Sequence, residues 1–182
     1  MKTRFITLAC LGTLLLPALA QAGGHQHVTI KGGNVEFQGA VVNAACTVEA
    51  DSQHLQVQMG QVRSSDFRGL GSWTNPQAFT LTLKDCDTTV SQQAGITFRG
   101  QTDKKDPGVL AIVDGAQSAQ GVGLGLFDAM GNQIIPNQQP LNFTALEDGT
   151  NQLRFTARYR ATSRTVVAGE ANAQTWFTLT YL

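Results

Sequence analysis

Charge is scarce in this chain. Only 14% of its residues are Asp, Glu, Lys or Arg, the basic and acidic residues number 13 each, and no block of like charge occurs. Such a balance excludes the basic face of a nucleic-acid binder or of a protein held on anionic lipid. Histidine is equally sparse: His25, His27 and His54 are the only three, and none sits in an H-E-x-x-H pattern. G-x-S-x-G and glycine-rich phosphate loops are missing as well. The nearest thing to a catalytic pair is Asp85 and Asp87 on either side of Cys86, which alternate strand positions could aim to one side. Solvated charges at a strand end are the simpler reading, and Asp128, ahead of Gly131 and Asn132, reads as a turn residue. Neither an enzyme nor a cofactor is expected.

Long apolar runs are lacking too, except for one at the start. Phe5 through Leu19 is broken only by Thr7, Gly12, Thr13 and Pro17, and it follows the basic Lys2 and Arg4. That is the design of a secretory signal, with Ala20 and Ala22 forming an A-x-A cleavage site. The mature chain is expected to start at Gly23, with cutting after Ala20 as the alternative. Losing Lys2 and Arg4 leaves a small net negative charge. Cys10 leaves with the signal, and an exported chain that keeps only Cys46 and Cys86 is expected to pair them. In the chain-entropy model, closing a loop of that length stabilises by about 4 kcal/mol.

What is abundant is alternation. Apolar residues recur at every second position in Leu55, Val57, Met59; in Phe79, Leu81, Leu83; in Ile96, Phe98; across Val109 to Val113; in Val122, Leu124, Leu126; in Leu153, Phe155, Ala157, Tyr159; and in Phe177, Leu179, Tyr181. Turn signals separate them, at Asn75-Pro76, Asp106 to Gly108, Gly131-Asn132, Asp148-Gly149 and Gly169. The pattern is that of a single all-β sandwich. Helix is confined to a turn or two in Ser64 to Leu70, and residues 69–72, 101–107 and 133–140 read as loops.

Two runs look like edges made for pairing. Gly33, Val35, Phe37, Gly39 and Val41 keep period two near one end, and Phe177, Leu179 and Tyr181 do so at the other. Neither run contains Pro and the closing one carries no charge, although long apolar edges are ordinarily blunted by such residues. Four smaller signals remain. A mature start of Gly23-Gly24-His25 could offer Cu(II) or Ni(II) a square-planar set of nitrogens. Trp73 and Trp176 could be stacking faces of a stand-alone carbohydrate-binding sandwich. Arg158, Arg160 and Arg164 read as exposed strand charges that could mark an interface. Asn142 to Thr144 matches a glycosylation triplet, which carries meaning only in a host that adds such glycans.

Five blocks resemble one family: Gly32 to Cys46 (GGNVEFQGAVVNAAC), Met59 to Val62 (MGQV), Leu83 to Cys86 (LKDC), Phe155 to Thr162 (FTARYRAT) and Ala171 to Tyr181 (ANAQTWFTLTY). Together they resemble the type 1 fimbrial subunits of the chaperone–usher pathway, over essentially the whole mature chain. The family's penultimate Tyr and upstream Gly fall on Tyr181 and Gly169. The closing block and the Tyr159 to Thr162 stretch look more like accessory fimbrin-like subunits than the abundant rod pilin.

The resemblance implies an incomplete immunoglobulin-like sandwich missing its seventh strand. It divides the chain into a signal at 1–22, an N-terminal extension at 23–43 and a pilin domain at 44–182. It implies a donor strand at Gly33, Val35, Phe37, Gly39 and Val41, and a groove edge at Gly169, Phe177, Leu179 and Tyr181. Its partners would be a periplasmic chaperone, an outer-membrane usher and other fimbrial subunits, and its place a fimbrium on the cell surface that supports adhesion and biofilm formation.

Overall fold

Alternating burial follows the alternating sequence. In a computed structural model that describes residues 30, 32–36, 38–39 and 41–182, the chain divides into two units, 1–40 and 41–182. The expected signal, the Gly23-Gly24-His25 triplet and Phe37 lie outside the described residues. In the first unit, the described residues of the expected 33–41 strand form no ladder, and Val35 is exposed.

The second unit is built almost wholly from strands: β1 (Thr47–Val48), β2 (Gln77–Cys86), β3 (Gln93–Arg99), β4 (Leu110–Ala111), β5 (Val122–Phe127), β6 (Gln133–Ile134), β7 (Thr144–Ala145), β8 (Gly149–Ala161) and β9 (Trp176–Tyr181). One sheet has the order β1-β2-β8-β5-β4 with β6 also on β5, and the other is β7-β3-β9. Neighbours are antiparallel throughout. The long β2 and β8 form the spine, with Phe79 opposite Phe155 and Leu81 opposite Leu153.

Register sends Leu81, Leu83, Leu153, Phe155 and Ala157 from the first sheet and Ile96 and Phe98 from the second into one buried cluster. Phe155 sits at its centre, stacked on Phe79 and edge-on to Phe98, both at 5.4 Å between ring centres. Such aromatic pairs add about 0.5–1.5 kcal/mol each beyond their buried area. A smaller cluster of Ile112, Val122 and Tyr159 fills the far end, where the Tyr159 hydroxyl donates to the Ala171 carbonyl at 2.7 Å.

The Cys46–Cys86 disulfide is formed. Reaching it requires a break in register between Leu83 and Cys86, and Asp85 takes a left-handed φ of 52° there. Asp85 accepts a hydrogen bond from the Thr47 hydroxyl, whereas Asp87 accepts the Thr89 amide in the turn that follows. The two carboxylates thus serve separate local structures and make no dyad.

Some expectations shift. Leu55, Val57 and Met59 form no strand, because among the described residues their stretch finds no ladder partner. Helix in 64–70 shrinks to one 3-10 turn, Ser64–Asp66, closed by the Asp66 carboxylate on the Arg63 amide. A second turn of helix, α1 (Ala50–Gln53), appears where none was expected, and its Ser52 hydroxyl accepts the Thr82 amide. Within 133–140, Gln133 and Ile134 pair with Phe127 and Leu126. Only Leu110 and Ala111 of the Val109 to Val113 run are strand.

Outside the first sheet, Trp73 lies over Gly125, edge-on to Phe127 at 5.0 Å, with the Arg160 guanidinium 4.8 Å from its ring centre. Arg160 also pairs with Asp106 at 3.2 Å, and Arg158 stacks on Phe127 at 5.0 Å. Both arginines are half-buried members of this layer, not the exposed strand charges expected from sequence. A Cβ on Gly125 would stand well inside van der Waals distance of the Trp73 ring. Gly125→Val should therefore displace Trp73 and lower stability by about 1–3 kcal/mol, read as a reduced urea midpoint with unchanged m-value.

Asp128 is the knot of the loops beyond β5. It accepts the amides of Met130 and Asn132 and the side-chain amides of Asn132 and Asn142. Burial pushes its pKa up, but these hydrogen bonds outweigh burial and hold it below the ordinary carboxylate value. Since the folded value is depressed, the stabilisation is complete above about pH 4, the unfolded value, and fades as pH falls through the folded one. Asp128→Asn should flatten the acid limb of a melting-temperature profile taken below about pH 4.

Candidate functional site

β9 is hydrogen-bonded on one side only. It pairs with β3 from Trp176 opposite Arg99 to Tyr181 opposite Ala94, and among the described residues its other edge meets no strand. Alternate peptide groups of an antiparallel strand point to each neighbour, so one set along β9 lacks a backbone partner there. Phe177, Leu179 and Tyr181 face the main core cluster but stay only half-buried, unlike Phe98 beside them, which is fully enclosed.

A second stretch shares this condition. Residues 55–62 make no main-chain hydrogen bond among the described residues, yet Val57 and Met59 turn inward while Gln56 and Gln58 stay exposed. Met59 touches both core clusters. The core is thus rimmed by partly covered apolar side chains from two segments whose backbone hydrogen-bonding capacity is unspent. Such a rim suits an added β-strand: main-chain bonds supply affinity and alternate side chains fill the gaps.

Tyr181 anchors the end of β9. Its hydroxyl donates to the Cys46 carbonyl at 3.3 Å, and burial raises its pKa above the ordinary value. The closing strand is thereby tied to the disulfide. Gly169 lies upstream of β9, where the segments around 117–120 and 167–170 cross through the Ser118–Glu170 and Gln120–Val167 bridges. A Cβ there would strike the backbone of Gln117 and Ala119, so its glycine permits the crossing. Phe177, Leu179 and Tyr181 lie together on one face of β9, and Gly169 serves a close backbone approach upstream of it.

The carbohydrate reading loses one of its two aromatic faces. Trp73 is occupied by Arg160 and Phe127, and Trp176, 63% exposed on the outer side of β9, stands apart from it in the fold. The Asn142 side chain is engaged with Asp128 at 2.7 Å. Among the described residues, no group of three or more His, Cys, Asp or Glu side chains is placed to hold a metal. The stretch sequence reasoning missed was 55–62 as a second unpaired rim, whose alternation looked like that of an ordinary strand.

An all-β, immunoglobulin-like sandwich whose closing strand is paired along one edge only, among the described residues, defines the class, that of the pilin fold. The P pilus rod subunit PapA superposes with a TM-score of 0.65 over 76% of this chain and 100% of its own, at 23% identity. A family model described as "Fimbrial protein" matches residues 35–182. The fimbrin-like protein FimI of Salmonella typhi is 41% identical over 170 residues, covering 92% of this chain and 93% of that protein. The type-1 fimbrial protein A chain of Escherichia coli is 38% identical over 184 residues and covers both chains completely. The chain belongs to the fimbrial protein family. It is a structural, non-enzymatic subunit that assembles with other fimbrial subunits in a surface fimbrium.

Removing the Tyr181 hydroxyl isolates the contribution of the anchor. Tyr181→Phe should cost about 1 kcal/mol through the lost hydrogen bond, seen as a lower urea midpoint with unchanged m-value.

Proposed function

We propose that this subunit polymerises by strand exchange. Its extension, residues 23–43, donates Gly33, Val35, Phe37, Gly39 and Val41 to a neighbour, and its 44–182 domain accepts the equivalent strand from another along Phe177, Leu179 and Tyr181. The carrying observation is β9 with one hydrogen-bonded edge over half-buried apolar side chains. Complementation of pilins by a lent strand is a known instance of strand addition. Burying Val35, Phe37 and Val41 would contribute about 1.5–3 kcal/mol each. Gly33 and Gly39 add no side chain to bury and let two backbones approach closely.

This reading extends to the route of assembly. After cleavage of the 1–22 signal, a periplasmic chaperone would cover the open edge, and the outer-membrane usher would exchange it for the next subunit's extension. We read it as an accessory subunit, a reading supported by the 41% identity to a fimbrin-like protein over 170 residues. A role in adhesion and biofilm formation follows from that place in a surface fimbrium. If cleavage follows Ala22, Gly23, Gly24 and His25 form a candidate Cu(II) site, and a one-to-one copper complex lost in His25→Ala would establish it.

The central test uses a chain lacking residues 1–42, refolded with its disulfide, and a synthetic peptide of residues 33–41. Saturating peptide should raise the melting temperature by roughly 10 °C or more, and a peptide carrying Phe37→Asp should not. A high melting temperature indifferent to peptide would mean that the sandwich is complete and the reading wrong.

A further inference from the structure

Sulfur is rare among the described residues. Cys46 and Cys86 are already joined, and Met59 and Met130 carry the rest. Met130 stands 72% exposed in the turn beyond β5, where its amide bonds Asp128. Met59 is half-buried and turns into the core.

Met59 also occupies a joint. Among the described residues, the partly buried side chains packed against both core clusters are Met59 and Leu124. Leu124 belongs to β5 and is framed by ladders on both sides, opposite Leu110 and Tyr159. Met59 has no such frame, because its stretch lies in no strand and makes no main-chain hydrogen bond among the described residues. What holds it in place is the contact of an apolar, adaptable thioether with the two clusters. The same side chain forms part of the open rim with Phe177, Leu179 and Tyr181.

We infer that the Met59 thioether is a modification site through which a peroxide loosens the core and closes the open edge to an added strand. A sulfur lone pair takes one oxygen from hydrogen peroxide: the O–O bond breaks, an S–O bond forms, and the other oxygen leaves as water. The sulfur is oxidised by two electrons and the peroxide is reduced by the same two. The sulfoxide is polar and chiral, so it requires water or a hydrogen-bond donor where the thioether required only packing. With no ladder to retain it, the 55–62 stretch moves outward and the joint between the clusters is left to Leu124. The loosening follows from the packing alone, whereas the effect on an added strand rests on the strand-exchange reading proposed above. Methionine sulfoxide reductases reverse the chemistry, which makes it a switch and not only a lesion.

The test exposes the folded full chain without residues 1–22 to dilute hydrogen peroxide and follows each methionine by peptide mass mapping. Met130, the exposed control, should gain its oxygen first, and Met59 should follow about tenfold more slowly yet completely, before any unfolding is seen. Met130→Leu and Met59→Leu, both close in volume to the parent, separate the two sulfurs. Peroxide should lower the melting temperature of Met130→Leu by about 3 °C or more and leave that of Met59→Leu unchanged, and methionine sulfoxide reductases should restore the former. Met59 that reacts only in urea-unfolded chain, or a Met130→Leu protein that melts alike before and after full Met59 oxidation, would overturn the inference. A saturating peptide of residues 33–41 then reads the edge. It should slow Met59 oxidation by about tenfold or more without changing the Met130 rate, and its stabilising effect should vanish once Met59 is oxidised. Stabilisation by peptide that survives Met59 oxidation sinks the switch and leaves strand exchange standing. Peptide that neither protects Met59 nor stabilises untreated protein sinks strand exchange, and the modification site then stands on the melting difference.

Discussion

Main-chain hydrogen bonding at β9 governs this molecule. A peptide group removed from water must find a partner, and an unmet one costs as much as a lost hydrogen bond. β9 meets that demand on one side through β3 and leaves it open on the other, directly above apolar side chains that the rest of the core only half covers. The surrounding structure leaves the gap in place. β2 and β8 commit their length to one another, and the aromatic cluster around Phe155 is filled from the two sheets already present. What remains is a rim of partly buried Met59, Phe177, Leu179 and Tyr181, which on the strand-exchange reading proposed above an incoming strand would complete.

The all-β class and the principal strands were legible in the sequence, because period-two alternation reports directly which face of a strand is buried. Phe79 to Leu83, Ile96 and Phe98, Val122 to Leu126, Leu153 to Tyr159 and Phe177 to Tyr181 all sit where alternation put them. Alternation says nothing about whether a ladder partner exists, so Leu55 to Met59 looked the same as a paired strand. It is equally silent about two-residue pairings such as β6 and β7, which tertiary proximity creates. Gly125 carries no local signal either: its requirement comes from Trp73, distant in sequence, lying across it. The apolar face of the candidate site was readable, whereas the role of Gly169 depended on a backbone crossing that only the fold displays.

The disulfide and Tyr181 form one joint. Cys46 is bonded to Cys86 at the end of β2, and its carbonyl receives the Tyr181 hydroxyl, so the beginning of the domain, the end of its longest pairing and the last strand converge on one residue. This fixes the height of the open edge relative to the core. Strand addition depends on such positional definition, since a shift of one residue would turn every inward side chain of the incoming segment outward.

The second sheet has a kinetic signature of its own. β3 lies in the first half of the chain's sandwich, and its longest pairing is with β9, the last strand of all. The second sheet therefore has only the two-residue β7 pairing until the final residues are free to arrive, and pairings of such long reach are slow to close. Until then Ile96 and Phe98 have only part of their cover, and the nascent protein is at its most adhesive towards its own kind. On the strand-exchange reading, the feature that would make the finished subunit receptive to a strand also lengthens the interval in which unwanted ones can reach it.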